Sequence, residues 1–219
     1  MEIKLFVEKE SLFDHYVASH PRGDVLQTTA WGRVKESSGW QAYPLGVMDQ
    51  GKLAAAALIL TKPLPLFPAA AAYSPRGPLY SSPEALAVLL KEGAAFLRGK
   101  GGLVWKMDPA IPKGDGEWLE AVRSLNLKPV ETGLDFAGVQ PRFVMTLDLT
   151  RSLDTLLNNM KSKTRYNIRY AMRKGVYIQP LKEKSRLSVF YCLLQETAER
   201  DGFSIRPLSY FEAIWDHLV

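Results

Sequence analysis

The run Leu53-Ala-Ala-Ala-Ala-Leu-Ile-Leu60 is apolar at every position. A strand with one face in water alternates apolar and polar side chains, so a run without alternation predicts a central strand covered on both faces. Such a strand needs paired neighbours and two covering layers, and the flanking segments offer both. The opening IKLFV reads as a strand, and Ser11 with Asp14 begins a short helix that Pro21 and Gly23 close. Thr28 or Thr29 caps a second helix, with Trp31 and Val34 on its apolar side and Gly39 as its stop. Trp40 to Met48 then reads as a strand, Asp49-Gln50-Gly51 as a turn, and Ala70–Tyr73, after a proline-rich connection, as a further strand. Ser82-Pro83-Glu84 starts a helix that runs to Lys100 and ends at Gly101-Gly102, and Leu103–Met107 is again a strand. Strands and helices in this alternation predict an α+β fold built on a mixed sheet.

A second unit is expected from Phe143, giving domains at 1–142 and 143–219. It opens with a strand from Phe143 to Leu149 and continues as one helix from about Ser152 to Lys174, with Leu153, Leu157, Met160, Ile168 and Met172 at helical spacing. A strand at Val176–Pro180 follows, then a helix carrying Leu187, Phe190, Leu193, Leu194 and Ala198 that Gly202 terminates. Ser209 and Glu212 form a capping box for a last helix with Phe211, Ile214, Trp215 and Leu218 on one side. Two strands are too few to bury three helices, so the unit reads as the interrupted beginning of a domain.

With 47% hydrophobic residues in 219, a packed core is expected. There is no apolar stretch of about 18 residues, and the start lacks the order of a secretion signal, so a cytoplasmic location is expected. A single cysteine, Cys192, and the scattered His15, His20 and His217 suggest neither a disulfide framework nor a metal site. No cofactor is expected.

The net charge of +5 is concentrated. Between Asn158 and Gly175 lie Lys161, Lys163, Arg165, Arg169, Arg173 and Lys174 without one acidic residue. Lys161, Arg165, Arg169 and Arg173 recur every four residues and would form a stripe on a helix that suits a polyanion. Tyr166 and Tyr170 lie among them, and aromatic rings beside cations can stack on unpaired bases of single-stranded RNA. The alternative is a solvated helix face whose cations favour the helix C-terminus.

The segment Lys161-Ser-Lys-Thr-Arg-Tyr-Asn-Ile-Arg-Tyr-Ala-Met-Arg-Lys-Gly-Val176 resembles the signature of the Fem peptidoglycan-bridge transferases. Three more segments match in order: Gln27-Thr-Thr-Ala-Trp-Gly-Arg-Val-Lys35, Tyr73-Ser-Pro-Arg-Gly-Pro78 and Glu199-Arg-Asp-Gly-Phe-Ser-Ile-Arg206. The resemblance implies two domains similar to the GNAT acyltransferases, the second interrupted here. It also implies transfer of an amino acid from aminoacyl-tRNA to a side-chain amine of a peptidoglycan precursor, either lipid II or UDP-MurNAc-pentapeptide. By motif, the residues that hold the precursor diphosphate fall on Lys35, Arg206 and Tyr210. Lys161, Lys163, Arg165, Arg169 and Arg173 are the tRNA-binding candidates. A lipid-linked substrate would bring the protein to the inner face of the cell membrane.

Each residue also has a plainer role open to it. Lys35 could be an ordinary surface lysine and Tyr210 a packing residue, whereas Arg206, just ahead of a helix start, suits an anion better. Arg76 reads as a loop-orienting side chain, Asp108 as the start of an Asp-Pro turn, and Cys192 as inert on an apolar helix face. Trp31, Trp40, Trp105, Trp118 and Trp215 read as core or rim anchors. No Ser/His/Asp or Cys/His set is visible, which disfavours a covalent acyl-enzyme and leaves the general base unassigned. Two other functions compete. An acyl-CoA-dependent acyltransferase would need a Gln/Arg-x-x-Gly-x-Gly/Ala loop that is not found, and a non-catalytic RNA-binding module would use the basic segment alone.

Overall fold

Ala55, Ala57 and Ile59 face one core and Ala56, Leu58 and Leu60 face the other, and all six have almost no exposed surface. The unbroken apolar run is therefore the doubly covered central strand that its pattern predicts. Burying each large aliphatic side chain there contributes about 1.5–3 kcal/mol. The computed structural model describes residues 1–6, 12–112, 114–130, 140–141 and 144–219.

The central strand belongs to a mixed sheet of β1 (Glu2–Leu5), β2 (Gln41–Asp49), β3 (Lys52–Pro63), β4 (Ala70–Arg76), β5 (Leu79–Tyr80) and β6 (Gly102–Pro109). The spatial order is β1-β2-β3-β4-β6, with β5 also paired to β3. All pairs are antiparallel except β4 with β6, which the helix α3 (Pro83–Gly99) joins as a crossover. α3 covers one face. The other carries α1 (Leu12–Ser19), which buries Phe13 and Val17, and α2 (Thr29–Glu36). Ser82 caps α3 and Thr28 caps α2, each accepting the backbone N–H three residues on. Gln50 and Gly51, both at positive φ, form the two-residue turn between β2 and β3. The sequence reading did not anticipate α4 (Gly116–Ser124), whose one clear signal is Asp115, the acceptor for the Trp118 N–H.

β3 and β4 part company at one place, and a side chain fills the gap. Their register runs from Pro63↔Ala70 to Leu60↔Tyr73 and stops there. Gln27, fully buried, inserts its carboxamide beyond that point. Its Oε1 accepts from the Leu58 N–H at 3.0 Å and its Nε2 donates to the Pro75 carbonyl at 2.5 Å. Thus both backbone groups are satisfied although the strands do not meet.

His20 ties α1 to β5. Its Nδ1 accepts from the Arg22 N–H at 3.1 Å, so Nε2 carries the proton and donates to the Tyr80 carbonyl at 3.0 Å. Burial pushes the His20 pKa below its ordinary value of 6.5, only partly countered by the Tyr80 carbonyl. A lowered folded pKa means that the contribution of neutral His20 is present above pH 6.5 and is lost as pH falls through the folded value. Comparing thermal midpoints at pH 7.5 and pH 5 should show a larger acid loss for the wild type than for His20→Gln. Equal losses would mean that His20 does not couple to folding.

The second unit departs from expectation at four points. Residues 144–149 and 176–180 form no strand, and Phe143 lies outside the described residues. Backbone groups of a strand need a neighbouring strand, and among the described residues none lies beside these segments; Met145 and Ile178 are 101% and 96% exposed. The expected helix over 152–174 is two helices, α5 (Leu153–Asn159) and α6 (Ser162–Arg173). Met160 and Lys161 between them are extended, with ψ of 151° and 146°. The Ser209–Glu212 capping box does not form either: α8 (Leu208–Leu218) starts two residues earlier, with Pro207 as its N-cap and no side-chain cap. Gly202, at φ 72°, does end α7 (Leu187–Asp201). Cys192 on α7 is exposed rather than set in an apolar face. α8 packs against both α7 and α2, which joins the last helix to the first unit.

Candidate anion-binding site between α2 and α8

Lys35 is the seventh residue of α2, and Tyr210 the third of α8, so the packing of these helices decides what the two side chains meet. The Lys35 Nζ stands 5.7 Å from the centre of the Tyr210 ring, 5.8 Å from Trp31 and 5.4 Å from Trp40. Arg206, in the segment leading into α8, places its guanidinium carbon 5.7 Å from the same Tyr210 ring. Lys62, near the end of β3, lies 5.5 Å from Trp40. Three cations and three rings therefore share one cleft, each cation within cation–π range of at least one ring.

Among the described residues no carboxylate joins them, and no ion pair involves Lys35, Lys62 or Arg206. Burial is the largest influence on Lys35 and holds its pKa below the ordinary 10.5, and the charges of Arg206 and Lys62 push in the same direction. Tyr210 is raised by burial, with Arg206 opposing. Converging cations without a counter-ion are unfavourable in the empty state, and a bound anion relieves the repulsion. The uncapped N-terminus of α8, beside Arg206, adds backbone donors of the same polarity.

The lowered Lys35 pKa predicts how binding responds to pH. Affinity for a diphosphate should fall on the alkaline side before an ordinary lysine would titrate at 10.5. Titration of the ligand on the alkaline side in wild type and Lys35→Met tests this; the same alkaline profile in both would show that the Lys35 charge does not act on the anion.

Lys35, Arg206 and Tyr210, which the resemblance assigns to one diphosphate site, are thus brought together. Sequence reasoning missed Lys62 and assigned Trp31 and Trp40 only a packing role, as core or rim anchors. Both tryptophans do pack on the core, but they also flank Lys35. Lys35 with Trp31 and Trp40 at i−4 and i+5 was the available signal, and Lys62 had none, since it reaches the cleft only through the β2–β3 pairing.

The basic segment is arranged differently. Lys163, Arg165, Arg169 and Arg173 lie on α6, which buries no residue, while Lys161 sits at its N-cap and outside the helix. Arg165 turns back onto α5, donating to the Asn158 carbonyl at 3.1 Å and to the Met160 carbonyl, so it closes the preceding helix. Tyr166 and Tyr170 stack on each other with ring centres 6.0 Å apart and planes 19° apart. Arg173 stands 5.9 Å from Tyr166, and Lys174 5.6 Å from Tyr170. None of these side chains makes a hydrogen bond or ring contact with the α2–α8 cleft.

Two further residues are structural in their contacts. Asp108 accepts from the Tyr73 hydroxyl at 2.7 Å and from the Arg76 N–H at 2.8 Å. Burial first, and then the Asp108 carboxylate, push the Tyr73 hydroxyl pKa up, so Tyr73 stays protonated as the donor. Arg76, at φ 54°, donates from Nη2 to the Pro141 carbonyl at 2.9 Å, as expected of a loop-orienting arginine.

The FemAB family model matches residues 9–218. The lipid II:glycine glycyltransferase of Staphylococcus aureus is 33% identical over 210 residues, a match that covers 94% of this chain and 50% of that protein. The crystal structure of FemX superposes with a TM-score of 0.87 at 31% identity, covering 99% of this chain and 55% of the other. The chain thus spans about half the length of the curated relatives it matches.

Proposed function

Because this chain belongs to the FemAB family, we propose that it is part of an enzyme that transfers an amino acid from aminoacyl-tRNA to a peptidoglycan precursor, and that the α2–α8 cleft holds the precursor's diphosphate. The observation that carries this reading is the convergence of Lys35, Arg206 and Lys62 with no carboxylate among the described residues paired to them. A diphosphate offers several charged acceptors in a small volume, and guanidinium and ammonium groups match it with charge-assisted hydrogen bonds. A glycyltransferase that acts on lipid II is 33% identical to this chain, which supports a transferase reading.

In the reaction, a side-chain amine of the stem peptide attacks the ester carbon that joins the amino acid to tRNA. The C–N bond forms, the C–O bond breaks, the tRNA hydroxyl leaves and the amine gives up a proton. Exchange of an ester for an amide is downhill, so the step needs no nucleotide hydrolysis. Much of the rate then comes from holding two anionic substrates in one geometry. α6, with Lys163, Arg169 and Arg173 solvated and two stacked tyrosines exposed, is the face offered to the tRNA. Lys161 precedes it and Arg165 is already engaged with α5.

Binding of a soluble UDP-linked muramyl peptide tests the cleft, with uridine monophosphate as the control. Preference for the diphosphate ligand is expected, and equal weak binding of the two would overturn the reading. For α6, Arg169→Ala with Arg173→Ala should weaken tRNA retention and lower its salt slope by about 2, because each phosphate contact contributes about one to that slope.

A further inference from the structure

The hairpin that joins β3 to β4 carries an apolar tip that no other described residue covers. Leu66 is 99% exposed and Phe67 68% exposed. The tip is nevertheless ordered by its own bonds: the Leu64 N–H donates to the Ala69 carbonyl and the Ala69 N–H to the Phe67 carbonyl, both at 2.8 Å. Pro63, Pro65 and Pro68 restrict it further. Leu66 sits at φ 69°, where a glycine or asparagine would be less strained. Folding stability alone would not select a left-handed leucine in water.

The surroundings are cationic. Between Asp49 and Glu84 the chain has no acidic residue. Lys62 lies on the last rungs of the hairpin, paired with Ala71, and Lys100 lines a hollow with Phe67, Pro63 and Pro68. Arg98 lies in the last turn of α3, whose end abuts the start of β4 through the bond from the Ala70 N–H to the Gly101 carbonyl. Apolar side chains on a rigid tip, ringed by cations, match the two layers of an anionic membrane surface: acyl boundary inside, phosphates outside.

We propose that the Leu64–Pro68 tip docks on an anionic lipid bilayer, inserting Leu66 and Phe67 while Lys62, Arg98 and Lys100 meet the headgroups. The occupant follows from charge complementarity and from position. Lys62 belongs both to the hairpin base and to the α2–α8 cleft, where it flanks Trp40. Four residues of extended chain span at most about 14 Å, so the inserted tip lies within that distance of the Lys62 backbone. An interfacial tip penetrates about 5–10 Å, which leaves the cleft near the headgroup plane where the diphosphate of a lipid-linked substrate resides. This placement rests on the reading of the cleft as a diphosphate site; among the described residues no helix is long and apolar enough to cross a membrane.

Flotation of the purified chain with vesicles of phosphatidylglycerol and phosphatidylcholine, in the absence of any precursor, tests the docking. Wild type should float with these vesicles and much less with phosphatidylcholine alone. Leu66→Ser with Phe67→Ser should lower the vesicle-bound fraction about tenfold, while binding of the soluble UDP-linked peptide stays unchanged. Flotation equal in wild type and double variant overturns the proposal. So does failure of the wild type to float while sedimentation velocity shows self-association that the variant loses, which assigns the tip to a second copy of the chain. Loss of soluble-ligand specificity with hairpin-dependent flotation intact removes the cleft reading and leaves the docking standing. Far-UV circular dichroism confirms that the variant, altered only at the exposed tip, is folded.

Discussion

Lys35→Ala and Arg206→Ala should each lower affinity for a soluble UDP-linked muramyl peptide by about 10–100-fold, since a hydrogen bond to a charged group contributes about 1.5–3 kcal/mol and each 1.4 kcal/mol is tenfold. The two effects should not add, because both residues contact the Tyr210 ring and act on one anion. Tyr210→Phe keeps the ring that both cations approach and should bind nearly as the wild type does, whereas Tyr210→Ala should lose affinity. Trp31 and Trp40 flank Lys35, so intrinsic fluorescence should report the titration directly. The empty fold should gain or keep stability in Lys35→Met, because removing one of several crowded cations relieves their repulsion. A Lys35→Ala protein with wild-type affinity for the ligand would remove the basis for the diphosphate site.

Gln27→Met should destabilise the fold by about 2–4 kcal/mol, the penalty for leaving a buried donor and a buried acceptor unpaired. Methionine nearly matches the volume, so the effect isolates the lost bonds to Leu58 and Pro75 from any cavity. For a chain of this size the thermal midpoint should fall by roughly 5–15 °C, and denaturant unfolding should show the same loss. Gly77→Ala converges on the same group, because a Cβ there would stand 2.4 Å from the Gln27 Oε1 and force the carboxamide out of the gap. A Gln27→Met protein as stable as the wild type would mean that water or a strand shift satisfies both groups. The two segments Gln27–Lys35 and Tyr73–Pro78, far apart in the chain, meet at this carboxamide, which gives them a shared structural reason.

Local chemistry was readable wherever a few adjacent residues decide the outcome. The doubly buried β3 follows from eight consecutive apolar residues, and the starts of α2 and α3 from Thr28 and Ser82. The Gln50-Gly51 turn and the Gly202 stop follow from positive φ. Lys35, Arg206 and Tyr210 were named together by resemblance, as holding one diphosphate, while nothing in their spacing along the chain gave the distances between them.

What the sequence could not reveal depends on partners distant in the chain. Residues 144–149 and 176–180 carry strand-like residues, yet a strand exists only where another backbone completes its hydrogen bonds. The break at Met160–Lys161 escaped notice because apolar spacing continues across it; the Arg165 side chain, bonded to the α5 carbonyls, holds the interruption. Lys62 looked like any surface lysine until β2–β3 pairing and the Trp40 ring carried it into the cleft. In the first unit the sequence by itself therefore determined the doubly buried β3, the starts of α2 and α3 and the Gln50-Gly51 turn, because these are set by neighbours within a few residues. Only the tertiary structure decided which charges converge, because repulsion among Lys35, Lys62 and Arg206 arises from the packing of α8 on α2 and of β3 on β2, and no spacing along the chain encodes it.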